Sequence, residues 1–140
     1  MLELHGWLTI HETYGNEDEL SDKDLNTINN RIKEIINSHN CGITLRYANG
    51  ESFLEVLHCS NHHTAEADEI LDVFKEVSKV ADGSYGIIYL RDDEDKTYYN
   101  EFQVFVFKHG IFTKTKDTLL SPCIPEIEAD IYNNDTQKED

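Results

Sequence analysis

The stretch ITLRYANGESFLEVLHC, residues 43–59, sets the organisation of the chain. Two runs of strand-like composition flank Asn49 and Gly50, and this dipeptide favours a type I′ turn because both residues tolerate positive φ. The stretch is therefore predicted to form a β-hairpin. The segments on either side of it change to helical periodicity, which places the hairpin between two helices.

One strand and one helix are predicted before the hairpin. In LELHGWLTIH, residues 2–11, apolar side chains alternate with mostly polar ones, which is the period-2 pattern of a strand. From Leu25 to Ile36 the apolar residues instead fall at three- and four-residue steps, as on one face of a helix. Ser21 or Asp22 is the predicted N-cap of this helix.

A second helix and three strands are predicted after the hairpin. Apolar residues from Ala67 to Ala81 have helical spacing, and the strands follow at residues 84–91, 101–110 and 111–116. The predicted order is β-α-β-β-α-β followed by β-β, which is an α+β fold, ferredoxin-like or related. We expect an antiparallel sheet with two helices on one face, and the helical residues expected to face the sheet are Ile28, Ile32, Ile35, Ile70, Leu71 and Phe74.

The chain is predicted to form one domain, residues 1–131, because 140 residues with 39% apolar content can bury a compact core without disulfide bonds or structural metals. The apolar run at residues 119–127 contains two prolines, so we predict an extended arm that packs on the domain. Residues 132–140 are predicted to be a disordered acidic tail.

Charge is the strongest compositional signal, with 28 acids against 12 lysines and arginines, or −16. Residues 1–116 alone hold 21 acids and 11 bases, or −10. A field of this sign repels phosphate backbones, so no nucleic acid partner is expected, and it attracts a basic protein. Solubility alone is the alternative explanation. The absence of a run long enough for a membrane span and of a secretory signal predicts a cytoplasmic protein without a membrane partner.

Acidic residues cluster in two places. Within YLRDDEDKTYYNEF, residues 89–102, four consecutive acids interrupt a strand-like pattern, and two tyrosines follow. A metal site, a solvated loop and a docking loop for another protein are all compatible with this run, although the EF-hand pattern is absent. A second cluster lies in the loop that leads into the first helix. The residues selected from the two clusters are Asp92, Asp93, Glu94, Asp95 and Tyr98, and Glu17, Asp18 and Glu19.

HCSNHH, residues 58–63, contains zinc-ligating residue types, but a structural zinc site needs four ligands and no CxxC spacing is present. Cys59 lacks an orienting group for nucleophilic catalysis, and neither a Ser-His-Asp signature nor a Gly-rich phosphate loop is found. We therefore predict no enzyme activity, no metal and no cofactor, with a metal- or thiol-dependent enzyme as an alternative. Trp7, the only tryptophan, is interpreted as a core or semi-core residue, with a partner anchor as the alternative.

Several strings together resemble the Immunity protein 7 family, whose members accompany bacterial polymorphic and contact-dependent toxins. They are LHGW at 4–7, the NG..FL hairpin at 49–54, SYGIIYLRDDED at 84–95, NEFQVFV at 100–106 and LLSPCIP at 119–125. The resemblance runs from about residue 4 to residue 127. It implies an α+β protein that is not a catalyst but binds and neutralises a cognate toxin domain.

The resemblance gives the acids a role as a surface for a basic toxin, and a nuclease is predicted because its own groove must be cationic to hold a phosphate backbone. The selected residues of both clusters are therefore predicted to bind the toxin. An alternative is that the run 92–95 is scaffold, with Arg91 paired to Asp92 or Asp93, while the loop 15–24 selects the partner. An acidic cytosolic adaptor is the competing class of function.

Overall fold

The computed structural model describes residues 1–15 and 17–130. The predicted tail at 132–140 lies outside the described residues. The elements in chain order are β1 (Leu2–Ile10), α1 (Asp22–Ser38), β2 (Ile43–Ala48), β3 (Glu51–Ser60), α2 (Ala65–Val80), β4 (Tyr85–Asp92), β5 (Gln103–Lys108), β6 (Ile111–Lys116) and α3 (Cys123–Glu126), with a short 3-10 helix (Glu17–Glu19) before α1. Within the described ranges, no helix has the length and apolar content needed to cross a membrane.

All six strands form one antiparallel sheet in the order β2-β3-β1-β4-β5-β6. β1 lies inside the sheet, where Leu4 is opposite His58 of β3 and Leu90 of β4. The predicted α+β class with an antiparallel sheet is confirmed. Its relation to ferredoxin-like folds stays a prediction.

The core lies between one face of the sheet and the two long helices. Every second side chain of β1 from Leu2 to Ile10 points into it, apart from Gly6, because successive side chains of a strand alternate between faces. Of the six helical residues predicted to face the sheet, Ile32, Ile35, Ile70 and Phe74 are buried, which confirms them. Ile28 and Leu71 pack on the core but are only partly buried.

Local sequence signals determine the helix start and both hairpins. Ser21 caps α1: its Oγ accepts a hydrogen bond from the Asp24 amide, 3.2 Å away, and the Asp24 carboxylate accepts one from the Ser21 amide. Asn49 and Gly50 have φ of 52° and 79°, as a type I′ turn requires. His109 and Gly110, with φ of 53° and 71°, turn β5 into β6 in the same way.

The C-terminal segment, defined here as residues 117–130, begins at a buried aspartate. The Asp117 carboxylate accepts hydrogen bonds from the amides of Leu119 and Leu120 and from the Ser121 hydroxyl, at 2.7–3.0 Å. Burial raises the pKa of Asp117, but the three hydrogen bonds together lower it by more. The pKa is therefore below its ordinary value, and the carboxylate stays charged at a lower pH than usual.

The prediction of an extended arm at 119–127 is wrong for part of that run, because the chain bends there through α3. Asn100 holds the bend: its Oδ1 accepts a hydrogen bond from the Ile124 amide at 2.8 Å, and its Nδ2 donates to the Ile124 carbonyl. The amide of Cys123 donates to the Asn100 carbonyl, and the Cys123 side chain is fully buried. The segment is therefore held against Asn100 by these contacts, and at residues 123–126 its conformation differs from the extended one expected.

Candidate functional site

His63 connects the run Asp92–Asp95, here called the acidic loop, to the start of α2. Its Nε2 lies 2.8 Å from Asp68 Oδ1, and its Nδ1 lies 3.4 Å from Asp92 Oδ2. Asp92 is buried, and its other oxygen accepts a hydrogen bond from the Glu94 amide. The hydrogen bond to Asp68 raises the pKa of His63, and Asp92 adds to this, although burial acts in the opposite direction.

The exposed carboxylates of the acidic loop belong to Asp93 and Glu94. Asp93 forms an ion pair with the amino terminus of Met1, and Glu94 Oε1 lies 2.8 Å from Nδ1 of His62. The two acidic side chains nevertheless remain 44% and 52% exposed, respectively. Solvent and a protein partner can therefore reach both of them.

Asp95 and Tyr98 are partnered within the loop itself. Asp95 Oδ1 accepts hydrogen bonds from the amides of Thr97 and Tyr98, each at 2.8 Å, and these bonds lower the pKa of Asp95. The Nζ atom of Lys114 lies 4.3 Å from the centroid of the Tyr98 ring, so this ring is partly covered by the protein's own cation. Tyr99, in contrast, is exposed.

The second predicted cluster lies far from the acidic loop. Glu17, Asp18 and Glu19 form the 3-10 helix that follows β1; Asp18 and Glu19 are exposed, and the side chain of Glu17 lies outside the described part of the chain. Asp92, at the start of the acidic loop, pairs with Leu2, the first residue of β1. The second cluster instead follows Ile10, the last residue of β1. These eight residue steps of strand span about 26 Å, so the two clusters lie at opposite ends of β1.

The pairing of Arg91 with Asp92 or Asp93 is wrong. The buried Arg91 guanidinium donates to the carboxylate of Glu128, with N to O distances of 2.9 and 3.3 Å. Neighbouring side chains of a strand point to opposite faces, so Arg91 and Asp92 cannot meet across β4. Arg91 instead anchors the C-terminal segment to the sheet, which sequence spacing alone did not reveal.

The histidines and the cysteine of HCSNHH do not converge. His58 and Cys59 are neighbours on β3 and therefore point to opposite faces, whereas His62 and His63 pair with carboxylates. Over residues 1–15 and 17–130, no three His, Cys, Asp or Glu side chains are arranged to hold a metal ion. The expected absence of a metal in the purified protein stays a prediction.

The sheet face away from α1 and α2 contains a groove of about 820 Å³, here called the open-face groove. Trp7 is 47% exposed and Leu57 is 80% exposed at this groove, so Trp7 is not a core residue, and of the interpretation as core or semi-core only the semi-core part agrees with the structure. Trp7 is exposed because it points away from the helices and the C-terminal segment covers only part of this second face. The strand side chains that line the groove are His5, Trp7, Thr44, Glu55, Leu57, Ile87 and Tyr89.

A family model described as Immunity protein 7 matches residues 1–129. The chain belongs to the Immunity protein 7 family. The match includes the whole sheet, both long helices and α3, which confirms the resemblance drawn from the sequence. No curated protein and no solved structure matches the chain. Membership of the Immunity protein 7 family indicates a protein that acts against a protein toxin, in a family that is generally not enzymatic.

The raised pKa of His63 predicts how stability depends on pH in this member of the Immunity protein 7 family. Protonated His63 contributes stability that is complete below its unfolded pKa of about 6.5 and is lost as pH rises through the higher folded pKa. Because the side chain is 46% exposed, solvent screening limits the effect to about 0.5 kcal/mol. Urea unfolding of the wild type and of His63→Gln should therefore differ more at about pH 5.5 than at about pH 9. His62→Gln, which removes a more exposed neighbour, is the control, and a His63→Gln difference that does not vary with pH would refute the prediction.

Proposed function

We propose that this protein binds the toxin domain of its own bacterial polymorphic or contact-dependent growth inhibition system in the cytoplasm and blocks that toxin. The family match over residues 1–129 carries the proposal. The fold supports it with a rigid sheet that presents exposed acids and an uncovered groove. Neither nucleic acid nor membrane is a partner in this proposal, because the net charge of −16 disfavours polyanions.

The proposed toxin is a basic nuclease, because an enzyme that holds a phosphate backbone needs a cationic groove that an acidic protein can approach. In this proposal the exposed acids Asp93, Glu94, Asp18 and Glu19, together with Glu17, attract the toxin. Asp92, Asp95 and Tyr98 contribute by shaping the acidic loop, since they are less exposed than Asp93 and Glu94 and each contacts another group of the chain. The predicted site is thus divided between residues that a toxin can touch and residues that hold the loop.

Protection of living cells tests the proposed function. A toxin domain encoded next to the gene for this protein is expressed from an inducible promoter, with or without the immunity protein. We expect growth to stop without the protein and to continue with it, and the two purified proteins should form a stable complex. Growth arrest in both cultures, or the absence of a complex, would refute the proposal.

Salt should slow the formation of this complex. Exposed charges of opposite sign raise association rates by about 10-fold or more at low ionic strength, and a Debye length of about 8 Å at physiological ionic strength screens them. We expect the on-rate to fall steeply with added NaCl while the off-rate changes less. Stopped-flow or biosensor kinetics at several salt concentrations measure both.

Two matched variants separate the acidic clusters in the same assay. Asp93→Asn/Glu94→Gln removes the exposed charges of the acidic loop, and Asp18→Asn/Glu19→Gln removes two charges at the other end of β1. The variant of the cluster nearer to the bound toxin should lose more of the salt-dependent on-rate. An on-rate that does not depend on salt, with both variants still protecting cells, would show that the acids serve solubility alone.

A further inference from the structure

The open-face groove combines space, apolar lining and an exposed aromatic side chain. Trp7 and Leu57 stand on neighbouring central strands, and the ring of Tyr85 meets that of Trp7 edge to face, with centroids 6.3 Å apart. Exposed apolar surface in a groove can mark an interaction site, and buried tryptophans dominate the energetics of many interfaces. Rigid β-strands hold these side chains, so little conformational entropy would be lost on binding.

We propose that the open-face groove is the contact centre for the toxin domain and packs an apolar segment of it against Trp7 and Leu57. This inference rests on the proposed function and assigns that function to a surface of which the sequence indicated only Trp7, as the alternative to a core or semi-core role. The acids then act mainly in attraction and orientation, whereas burial of Trp7 and Leu57 in the complex determines how slowly it dissociates.

Charge favours a cationic toxin over a second copy of this chain as the occupant. Among the described residues that line the groove there is no lysine or arginine, and the lining carboxylate, Glu55, is paired with Arg46 at 3.0 Å, so the attraction comes from the charge of the whole protein. Two copies would each bring a charge of −16 to the contact, whereas a basic domain would be attracted. The strands that line the groove are β1 to β4. Most lysines in the described ranges, five of eight, lie on other elements, namely α2, β5 and β6. These five are Lys75, Lys79, Lys108, Lys114 and Lys116.

The groove also lies between the two acidic clusters along β1. Its lining residues His5 and Trp7 are central in this strand, whose ends lead to the acidic loop and to the 3-10 helix. About 10 Å of strand separates each end of β1 from the nearer of these two residues. A toxin domain seated on Trp7 is therefore attracted by both clusters at low ionic strength, where the Debye length is about 30 Å, and much less so at physiological ionic strength.

A single fluorine label tests this proposal, because Trp7 is the only tryptophan. The full chain is labelled with 5-fluorotryptophan and titrated with the unlabelled toxin domain encoded next to its gene, and the one ¹⁹F resonance is followed. We expect the resonance to shift as the complex forms. Trp7→Ala and Leu57→Ser should each weaken binding by about 30-fold or more, mainly through a faster off-rate. Tyr47→Ala is the matched control, since Tyr47 is an exposed aromatic residue on β2 outside the groove, and it should bind as the wild type does.

The possible outcomes distinguish the surface from the function. If the wild type binds the toxin domain, but the resonance stays in place and both groove variants bind as tightly, the proposed function stands and the groove assignment fails. If the wild type does not bind, both proposals fail. Thermal unfolding of each variant shows that it is folded, and Leu57→Ser, an exposed position, keeps the test valid if Trp7→Ala is unstable. A free protein that dimerises through Trp7, or a free resonance that moves when residues 131–140 are removed, would assign the groove to another occupant and overturn the proposal.

Discussion

Removal of the chain beyond Lys116 is expected to lower the free energy of unfolding by about 3–6 kcal/mol, a large part of the 5–15 kcal/mol typical of a domain. The truncation deletes the buried Cys123 side chain, which lies outside the core between the sheet and the helices, and exposes the surface that it covered. It also removes the hydrogen bonds that the C-terminal segment makes to Asn100 and Phe102, each contributing about 1 kcal/mol.

Arg91 makes this loss larger than the contacts alone suggest. Its guanidinium is buried, and Glu128 is its carboxylate partner. Without Glu128 the charge must either remain in the sheet uncompensated or draw water into the surface around it, and both alternatives cost free energy.

The matched truncation after Tyr132 keeps every one of these contacts and should unfold with the wild-type Tm. Equal Tm values for the two truncated proteins would show that the C-terminal segment does not stabilise the domain.

Replacement of Gly86 by alanine is the second change with a large expected effect, about 3 kcal/mol or more. A Cβ at this position would meet the carbonyl oxygen of Trp7 and would lie 2.7 Å from the Cα of Leu8. Both neighbours are backbone of β1, so no side chain can rotate to make room, and β1 and β4 must separate at the centre of the sheet. Chemical unfolding measured by circular dichroism should show a much lower midpoint.

Gly42→Ala is the control for Gly86→Ala. The nearest atom to a Cβ on Gly42 is a carboxylate oxygen of Glu66 at 3.8 Å, an ordinary contact distance, and the backbone there has no positive φ. This variant should keep the wild-type midpoint. If Gly86→Ala is as stable as Gly42→Ala, the close approach of β1 and β4 is not a constraint on the sequence.

The predictable part of this fold is the part that short-range patterns encode. The alternation in β1, the helical spacing around Ile32 and Phe74 and the Asn49-Gly50 turn each depend on neighbours within a few residues. The sequence did not predict α3, because the two prolines there disfavour regular structure. The bend is stabilised by Asn100, which is 24 residues before Ile124 in the chain. No local pattern contains that information.

The candidate site was harder to predict for the same reason. The acids of the acidic loop were visible as a run, but their partners His62 and His63 lie about 30 residues earlier in the chain, and only the fold brings them together. The period-2 pattern placed Trp7 opposite the buried leucines correctly. It could not show whether anything covers that second face, and this decides whether the tryptophan is core or contact surface.

The central position of β1 also affects when the sheet can form during translation. β1 is made first, but the partner strands β3 and β4 are complete only at Ser60 and Asp92. At ribosomal rates of about 5–20 residues per second, roughly 4–16 s pass between the end of β1 and the end of β4. During this interval the leucines of β1 have no finished sheet to join, and the long sequence separation makes the closing step slow. The sheet face bearing Trp7 is therefore assembled only after β4 has left the ribosome.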